Sequence, residues 1–141
     1  MSDGPLASVI IPNWNGARFL PTCLEALRRQ TYADREVIVV DNASKDGSCT
    51  LVSDRYPEVA LVPLARNAGF AGGVNAGIRA ARGEIVALLN NDTEADARWL
   101  EELVSALDRH PQAGSAASKI LLFDKRDTFH SAGDAFRTDG L

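Results

Sequence analysis

The sequence predicts an α/β fold, a doubly wound, mostly parallel sheet with helices on both faces. Short runs rich in Val, Ile and Leu alternate with longer segments in which apolar residues recur at helical spacing. Several of the short runs are apolar throughout, which is typical of strands buried on both faces of a parallel sheet. The chain has 141 residues, enough for one such domain.

Five segments are predicted to be strands, because each is a short apolar run bounded by residues that favour turns. They are ASVIIP (7–12), REVIVVD (35–41), EVALVPL (58–64), EIVALLN (84–90) and GSAASKILLF (114–123). Pro63 places the third strand near an edge of the sheet, because proline cannot donate a hydrogen bond to a strand partner.

Four segments between or after the strands are predicted to be helices. They are RFLPTCLEALRRQT (18–31), SKDGSCTLVSDRY (44–56), the second half of NAGFAGGVNAGIRAARG (67–83) and ADARWLEELVSALDRHP (95–111). From Leu20 to Leu27 apolar residues recur at i, i+3, i+4 and i+7, and Pro21 is tolerated in the first turn. Ser44 is the expected cap of the second helix, and Gly83 is the expected C′ residue of the third.

The composition excludes some classes of function. The net charge is −4 and the Lys and Arg residues are scattered, which does not favour binding to nucleic acid. Cys23 and Cys49 lie in different predicted helices, outside any metal-binding spacing, and suit buried thiols in a reducing compartment. No apolar run reaches the ~18 residues of a membrane span, and the first residues lack a signal-peptide pattern. We therefore expect a cytoplasmic protein without a transmembrane segment.

Polar residues converge at the carboxyl ends of the predicted strands, where open α/β sheets bind ligands. The sets are PNWNG (12–16), DNAS (41–44), RNAGFAGG (66–73) and NND (90–92). Asn and Asp are also ordinary residues of turns and helix caps, so each set alone has a purely structural interpretation. Four sets at one edge of the sheet favour a ligand site.

The acidic residues of this edge indicate the chemistry of the ligand. A carboxylate is compatible with a phosphate when a divalent cation lies between them, so we expect Asp92 to bind Mg²⁺ or Mn²⁺. Asp41 has two interpretations: it accepts a hydrogen bond from a pyrimidine base or a ribose hydroxyl, or it caps the following turn. A dinucleotide-binding oxidoreductase is disfavoured, because the GxGxxG pattern is absent after the first strand.

Four segments carry a resemblance to a known family. SVIIPNWNG, EVIVVDNASKDGS, NAGFAGGVNAGI and ALLNNDTEAD, in this order, resemble the nucleotide-binding half of family 2 glycosyltransferases, which have the GT-A fold. A later SKILLFDK…HSAGDAF resembles the rhamnosyltransferase-like branch, and the likeness extends from residue 7 to about residue 133. It implies transfer of a sugar from a nucleoside diphosphate to an acceptor hydroxyl with inversion, assisted by a divalent metal at a DxD-type motif.

The resemblance also implies roles for single residues. NND takes the place of the DxD motif, so that Asp92 faces the metal and Asn90 reaches the ribose or the diphosphate. The other implied donor-binding residues are Pro12 and Asn13 under the base, Asp41 beside it, Asn67 and Gly69 where the backbone approaches the nucleotide, Asn75 on the following helix, and Asn91 within NND. Val74 departs from the family, which often has an asparagine there. Trp14 either stacks near the nucleotide or packs within its loop.

The family's general base is an acidic residue in a later segment than this chain contains, so no catalytic residue is identified. We expect residues 1–6 to be a tail and residues 7–141 to be the nucleotide-sugar-binding part, without the acceptor half and impaired on its own. The alternative is a non-catalytic nucleotide-sugar-binding module. The expected partners are a dTDP- or UDP-sugar and a saccharide or lipid-linked acceptor of cell-surface polysaccharide synthesis, with possible peripheral membrane association of the full protein.

Overall fold

A computed structural model describes residues 4–132, and the chain divides into two compact units, Met1–Leu100 and Glu101–Leu141. The strands of the first unit are β1 (Ala7–Asn13), β2 (Arg35–Asp41), β3 (Ala60–Pro63) and β4 (Ile85–Leu88). The helices are α1 (Leu20–Arg28), α2 (Ser48–Arg55), α3 (Gly69–Ala80) and α4 (Trp99–Arg109). Two short strands, β5 (Ile120–Leu121) and β6 (Phe129–Ser131), lie in the second unit.

The four strands of the first unit form one parallel sheet in the order β3-β2-β1-β4. The chain runs from β1 outward to β3 and then returns to the other side of β1, which makes the boundary between β1 and β4 the topological switch point. All four carboxyl ends therefore lie at the same edge. The predicted edge position of β3, with Pro63 at its end, is confirmed.

The two faces of the sheet bury separate apolar clusters, because alternate residues of a strand point to opposite faces. On one face the cluster includes Val9, Val39, Leu24 of α1 and Val52 of α2. On the other face it includes Ile10, Ile38, Val40 and Ala76 of α3. Helices on both faces of a mostly parallel sheet were the fold predicted from the sequence, and this prediction is confirmed.

Helix α1 follows the predicted pattern closely. Its buried residues are Leu20, Cys23, Leu24, Ala26 and Leu27, and proline stands in its first turn. Each fully buried Leu of this face contributes roughly 1.5–3 kcal/mol of hydrophobic stabilisation. The apolar stripe that predicted the helix is thus the stripe that attaches it to the sheet.

Three predicted helix boundaries are wrong. Helix α3 begins at Gly69, within the first half of 67–83, which was not predicted to be helical. Helix α2 begins at Ser48 after Gly47, whose φ is 85°, and the Ser44 hydroxyl instead accepts a hydrogen bond from the Asn15 backbone N–H at 2.8 Å. Helix α3 ends at Ala80 rather than beside Gly83. A Cβ at Gly83 would lie 2.6 Å from Leu6 O, so glycine is required there by close approach to the chain before β1.

The predicted strand over 114–123 is also wrong in extent and in placement. Only Ile120–Leu121 are extended, and they pair antiparallel with Phe129–Ser131 in a second sheet. The preceding Gly, Ala and Ser residues have low strand propensity. The last part of the predicted branch motif HSAGDAF, residues 133–136, lies outside the described residues.

Helices able to cross a bilayer were sought over residues 4–132, and none there has the required length and hydropathy.

Candidate functional site

A cleft of about 440 Å³ opens at the carboxyl edge of the parallel sheet. The end of β1 and the segments that follow β2, β3 and β4 contribute to its wall, as expected for a ligand site at a topological switch point. The lining residues are Pro12, Asn13, Trp14, Asn42, Asn67, Gly69, Phe70, Asn90, Asn91 and Asp92.

The structure brings together most of the residues that the sequence singled out. Seven of the nine residues assigned to the donor or the metal line this cleft: Pro12, Asn13, Asn67, Gly69, Asn90, Asn91 and Asp92. The other two do not line it. Asn75 is exposed on α3, and Asp41 is buried at the end of β2.

Asn13 is the centre of a hydrogen-bond network at the base of the cleft. Its side chain is 1% exposed, and its Nδ2 donates to Asp41 Oδ1 at 2.9 Å and to Ser44 Oγ at 3.3 Å. Its Oδ1 accepts from Asn91 Nδ2 at 2.7 Å. The amide of Asn13 thus connects the end of β2 with the loop after β4, which lie on opposite sides of β1.

Asp41 does not present its carboxylate to the cleft. The side chain is 2% exposed, and its second oxygen accepts the Ser44 backbone N–H at 2.9 Å. Burial raises the pKa of Asp41, but hydrogen bonds from Ser44, Asn13 and Cys49 outweigh this effect and hold the pKa below its usual value. The interpretation in which Asp41 accepts a hydrogen bond from a base or a ribose does not fit this geometry, which is that of the alternative, a carboxylate that caps the following turn.

Asn42, the residue after Asp41, is the one that reaches the cleft. It is 4% exposed, lines the cleft, and bonds to the backbone of Ala68 and Gly69. The alternation of β2 was the available signal: Val37, Val39 and Asp41 share one face, whereas Asn42 continues the face of Ile38 and Val40.

Two aromatic side chains flank the cleft and are open to solvent. Trp14 is 60% exposed and Phe70 is 62% exposed. Such exposure argues against the interpretation in which Trp14 packs within its loop. Phe70 was not singled out from the sequence, because it stands in a glycine-rich motif where the backbone, and not a side chain, was expected to meet the ligand.

The loop that carries Asp92 is held by two contacts to the backbone oxygen of Asn90. Thr93 Oγ1 donates to Asn90 O at 2.7 Å, and the buried Cys23 thiol lies 3.7 Å from the same oxygen. Burial, with a further contribution from the charge of Asp92, raises the pKa of Cys23 to about 12 despite a hydrogen bond with Thr93. Cys23 is therefore a neutral thiol of the core, as its position on the apolar stripe of α1 predicted.

Asp92 is exposed and is the charged residue among those that line the cleft. Over residues 4–132 no group of three or more His, Cys, Asp or Glu side chains could hold a metal ion by itself. The oxygen atoms of Asp92 and of the neighbouring Asn90 and Asn91 nevertheless suit Mg²⁺ or Mn²⁺, which bind through one or two carboxylates together with phosphate oxygens of a substrate. These oxygen atoms fit a cation that is coordinated partly by the protein and partly by a diphosphate.

Comparison with known proteins identifies the family. Residues 8–138 match the model of glycosyl transferase family 2. The chain belongs to this family. The family and the α/β fold predicted from the sequence are confirmed, whereas the rhamnosyltransferase-like branch stays a prediction.

Two curated relatives illustrate the likeness. The chain is 32% identical to the glycosyltransferase AglE of Haloferax volcanii in an alignment of 133 positions that covers 82% of this chain and 44% of that protein. It is 36% identical to the uncharacterized glycosyltransferase YibD of Escherichia coli in an alignment of 101 positions that covers 70% of this chain and 29% of that protein. The chain thus spans less than half the length of these relatives.

Solved glycosyltransferase structures share the fold. A mannosyltransferase from Pyrobaculum calidifontis, in complex with GDP-Man and Mn²⁺, superposes with a TM-score of 0.57 and 33% identity over 63% of this chain and 28% of that chain. The TarS protein of S. aureus (residues 1–349), in complex with UDP, superposes with a TM-score of 0.69 and 23% identity over 86% of this chain and 43% of that chain. The second likeness concerns the fold alone.

Proposed function

We propose that this chain is the donor-binding part of a glycosyltransferase that moves a sugar from a nucleoside diphosphate to an acceptor hydroxyl. The observation that carries the proposal is the cleft at the switch point, where the asparagines of NND and Asp92 face the end of β1. Membership of the family and the nucleotide-sugar complex of a 33%-identical mannosyltransferase support it.

The charge of the cleft supports a metal-assisted diphosphate site. A diphosphate next to Asp92 brings negative charges together, and a divalent cation between them turns this repulsion into attraction. Helix α3 begins with Gly69 and Phe70, which also line the cleft. The helix dipole therefore places partial positive charge at the cleft. A bound cation supplies electrostatic stabilisation of the diphosphate as it leaves the sugar.

The remaining residues then have distinct roles. Pro12 and Asn13 form the floor, and the exposed rings of Trp14 and Phe70 offer surfaces on which a base stacks. Asn67 Oδ1 accepts the Gly69 N–H at 2.8 Å and so shapes the backbone that approaches the nucleotide. The polar contacts proposed for ribose, diphosphate or metal are those of Asn90, Asn91 and Asp92. Asn75, which does not line the cleft, is placed on α3 beside the bound nucleotide.

The proposed reaction inverts the anomeric carbon. The acceptor oxygen forms a bond to this carbon while the bond from the carbon to the diphosphate oxygen breaks on the opposite face. The acceptor proton passes to a general base. Asp92 is the one carboxylate among the cleft-lining residues of the described chain, and it is assigned to the cation, so we place the base outside the described part.

Calorimetric titration of the chain with UDP, dTDP and GDP, each in Mn²⁺ and in excess chelator, tests the donor site. We expect binding in Mn²⁺ that weakens at least tenfold with chelator, equivalent to about 1.4 kcal/mol. Asp92→Asn should remove the metal dependence, whereas Asp54→Asn, which changes an exposed carboxylate of α2, should keep it. Binding that is indifferent to chelator and to Asp92→Asn contradicts the role of Asp92.

The alternative, a non-catalytic nucleotide-sugar-binding module, is favoured by one observation: no second carboxylate lines the cleft within residues 4–132. Turnover separates the two functions. Multiple turnover of dTDP-, UDP- or GDP-sugars onto saccharide or lipid-linked acceptors by the full-length protein excludes the module. Stoichiometric donor binding without turnover by that protein supports it. The proposed donors are dTDP- or UDP-sugars, dTDP-rhamnose among them.

A further inference from the structure

The buried carboxylate of Asp41 fixes the direction of two successive amides. A carboxylate only accepts hydrogen bonds, so Asn13 must present its Nδ2 to Asp41 Oδ1, at 2.9 Å. The Asn13 Oδ1 is thereby turned toward the loop after β4, where it accepts from Asn91 Nδ2 at 2.7 Å. With either amide reversed, two oxygens or two N–H groups would face each other in this buried contact.

The same constraint determines which atoms of the Asn91 amide are available to a ligand in the cleft. Its nitrogen is committed to Asn13, and the amide oxygen lies on the other side of its Cγ. Asn91 lines the cleft beside Asp92. One N–H of Asn91 is bonded to Asn13, so the amide oxygen of Asn91 and the carboxylate of Asp92 are the oxygen atoms that this pair can present to Mg²⁺ or Mn²⁺.

Gly16 is required by this hydrogen bond. A Cβ at this position would lie 2.1 Å from Asn91 Nδ2 and 2.3 Å from Asn13 Oδ1. These are the donor and the acceptor of the bond between the two amides, so any side chain at residue 16 displaces one of them. The backbone of Gly16 is outside the left-handed region, so the requirement is for space and not for an unusual φ.

We propose that Asp41, Asn13 and Gly16 are positioning residues for the cation and diphosphate site, acting through the amide of Asn91. This inference rests on the proposed function. Asp41 then affects donor binding indirectly, through a buried hydrogen bond with Asn13 and a partly buried one between Asn13 and Asn91, and not through a contact with the base.

The test measures how strongly Mn²⁺ and UDP favour each other's binding. The quantity is the ratio of the UDP dissociation constant in chelator to that in Mn²⁺, a coupling between two ligands that general loss of stability does not by itself change. We expect the ratio to fall at least fivefold in Asp41→Asn, because an amide at residue 41 accepts either orientation of Asn13. The same fall is expected in Gly16→Ala. Gly114→Ala should keep the wild-type ratio, because a Cβ at Gly114 would have no atom within 4 Å.

A second measurement does not depend on ligand binding or on the Gly16→Ala variant being folded. In ¹⁵N-labelled protein without nucleotide, the side-chain NH₂ resonances of Asn91 should move in Asp41→Asn, although residues 41 and 91 share no hydrogen bond. Wild-type ratios in Asp41→Asn, or unchanged Asn91 resonances, overturn the inference while the proposed function stands. Absence of Mn²⁺-dependent binding of UDP, dTDP and GDP to the wild-type chain overturns the proposed function itself.

Discussion

The side-chain amide of Asn42 ties the end of β2 to Gly69, the first residue of α3. Asn42 Nδ2 donates to Gly69 O at 3.2 Å, and Asn42 Oδ1 accepts from the Ala68 N–H at 3.2 Å. A Cβ at Gly73 would lie 2.7 Å from Asn42 Nδ2, so the helix approaches this amide as closely as a glycine allows. One N–H and one oxygen lone pair of the amide remain for a ligand in the cleft.

Replacement of Asn42 by Ala should loosen the start of α3. Two hydrogen bonds are lost, and we expect the free energy of unfolding to fall by about 1–3 kcal/mol, measured by urea denaturation. UDP affinity should fall as well, because Gly69 and Phe70 line the cleft. Asn42→Asp keeps the acceptor for Ala68 but places a buried carboxylate oxygen against Gly69 O, so it should not restore the stability of the wild type. Equal stability of Asn42→Ala and wild type would show that the start of α3 keeps its conformation without the Asn42 amide.

Asp41→Ala should lower stability without changing which base is preferred. The carboxylate supports Asn13 and Ser44 and does not line the cleft, so we expect the free energy of unfolding to fall by about 1–3 kcal/mol. Its effect on donor binding should act at the diphosphate, which UDP and CDP share. Titration with both nucleotides should therefore give an unchanged affinity ratio. A selective loss of UDP binding would restore the base-reading interpretation of Asp41.

Acid should destabilise the first unit through carboxylates whose pKa is lowered on folding. Burial raises the pKa values of Asp41 and Glu36, but hydrogen bonds, from Ser44 to the former and from Ser8 and Arg82 to the latter, bring both below their usual values. Their stabilisation is complete above the unfolded values of about 4 and is lost as the pH falls through the folded values. Denaturation between pH 6 and pH 3 should show a smaller loss in Asp41→Asn than in wild type, with Asp54→Asn as the matched control.

Trp14 should report occupancy of the cleft. Its ring is 60% exposed and lines the cleft, whereas Trp99 packs against the core of the first unit. We expect UDP with Mn²⁺ to quench the fluorescence of a Trp99→Phe variant, in which Trp14 is the remaining tryptophan. Trp14→Leu should weaken UDP by roughly 1–3 kcal/mol, the range found for stacking of a base on an aromatic ring. An unquenched signal at saturating UDP places the base elsewhere.

Gly77→Ala should destabilise the protein although alanine favours helices. A Cβ at residue 77 would lie 2.3 Å from Ile10 Cγ2 and 3.1 Å from Val40 Cγ2, so α3 would be pushed from the sheet. Overpacking of this kind costs about 1–3 kcal/mol, more than the gain of roughly 1 kcal/mol in helix propensity. Combining Gly77→Ala with Ile10→Ala should give a smaller loss than the sum of the two single losses; strict additivity would show that the contact is relieved in another way.

The sequence by itself determined the elements whose pattern is local. The apolar stripe of α1 and the continuous apolar runs of β1 and β2 depend on residues close together in the chain, and the observed bounds of these elements agree with the predicted ones to within a few residues. The position of the cleft also followed, because the carboxyl ends of parallel strands must share one edge. Residues 114–123 were predicted poorly, since a short apolar run reveals neither its length as a strand nor its partner.

The tertiary structure decided which polar residues at that edge face the ligand. Asp41 and Asn42 are adjacent and lie on opposite sides of the sheet, and only the packing of α3 on the face of Ile38 and Val40 shows which side is open to the cleft. Asn13, Gly16 and Asn91 come together across 78 residues of chain, through hydrogen bonds that depend on atoms a few ångströms apart. Periodicity specifies which face a side chain takes, but it does not specify what the fold places on that face.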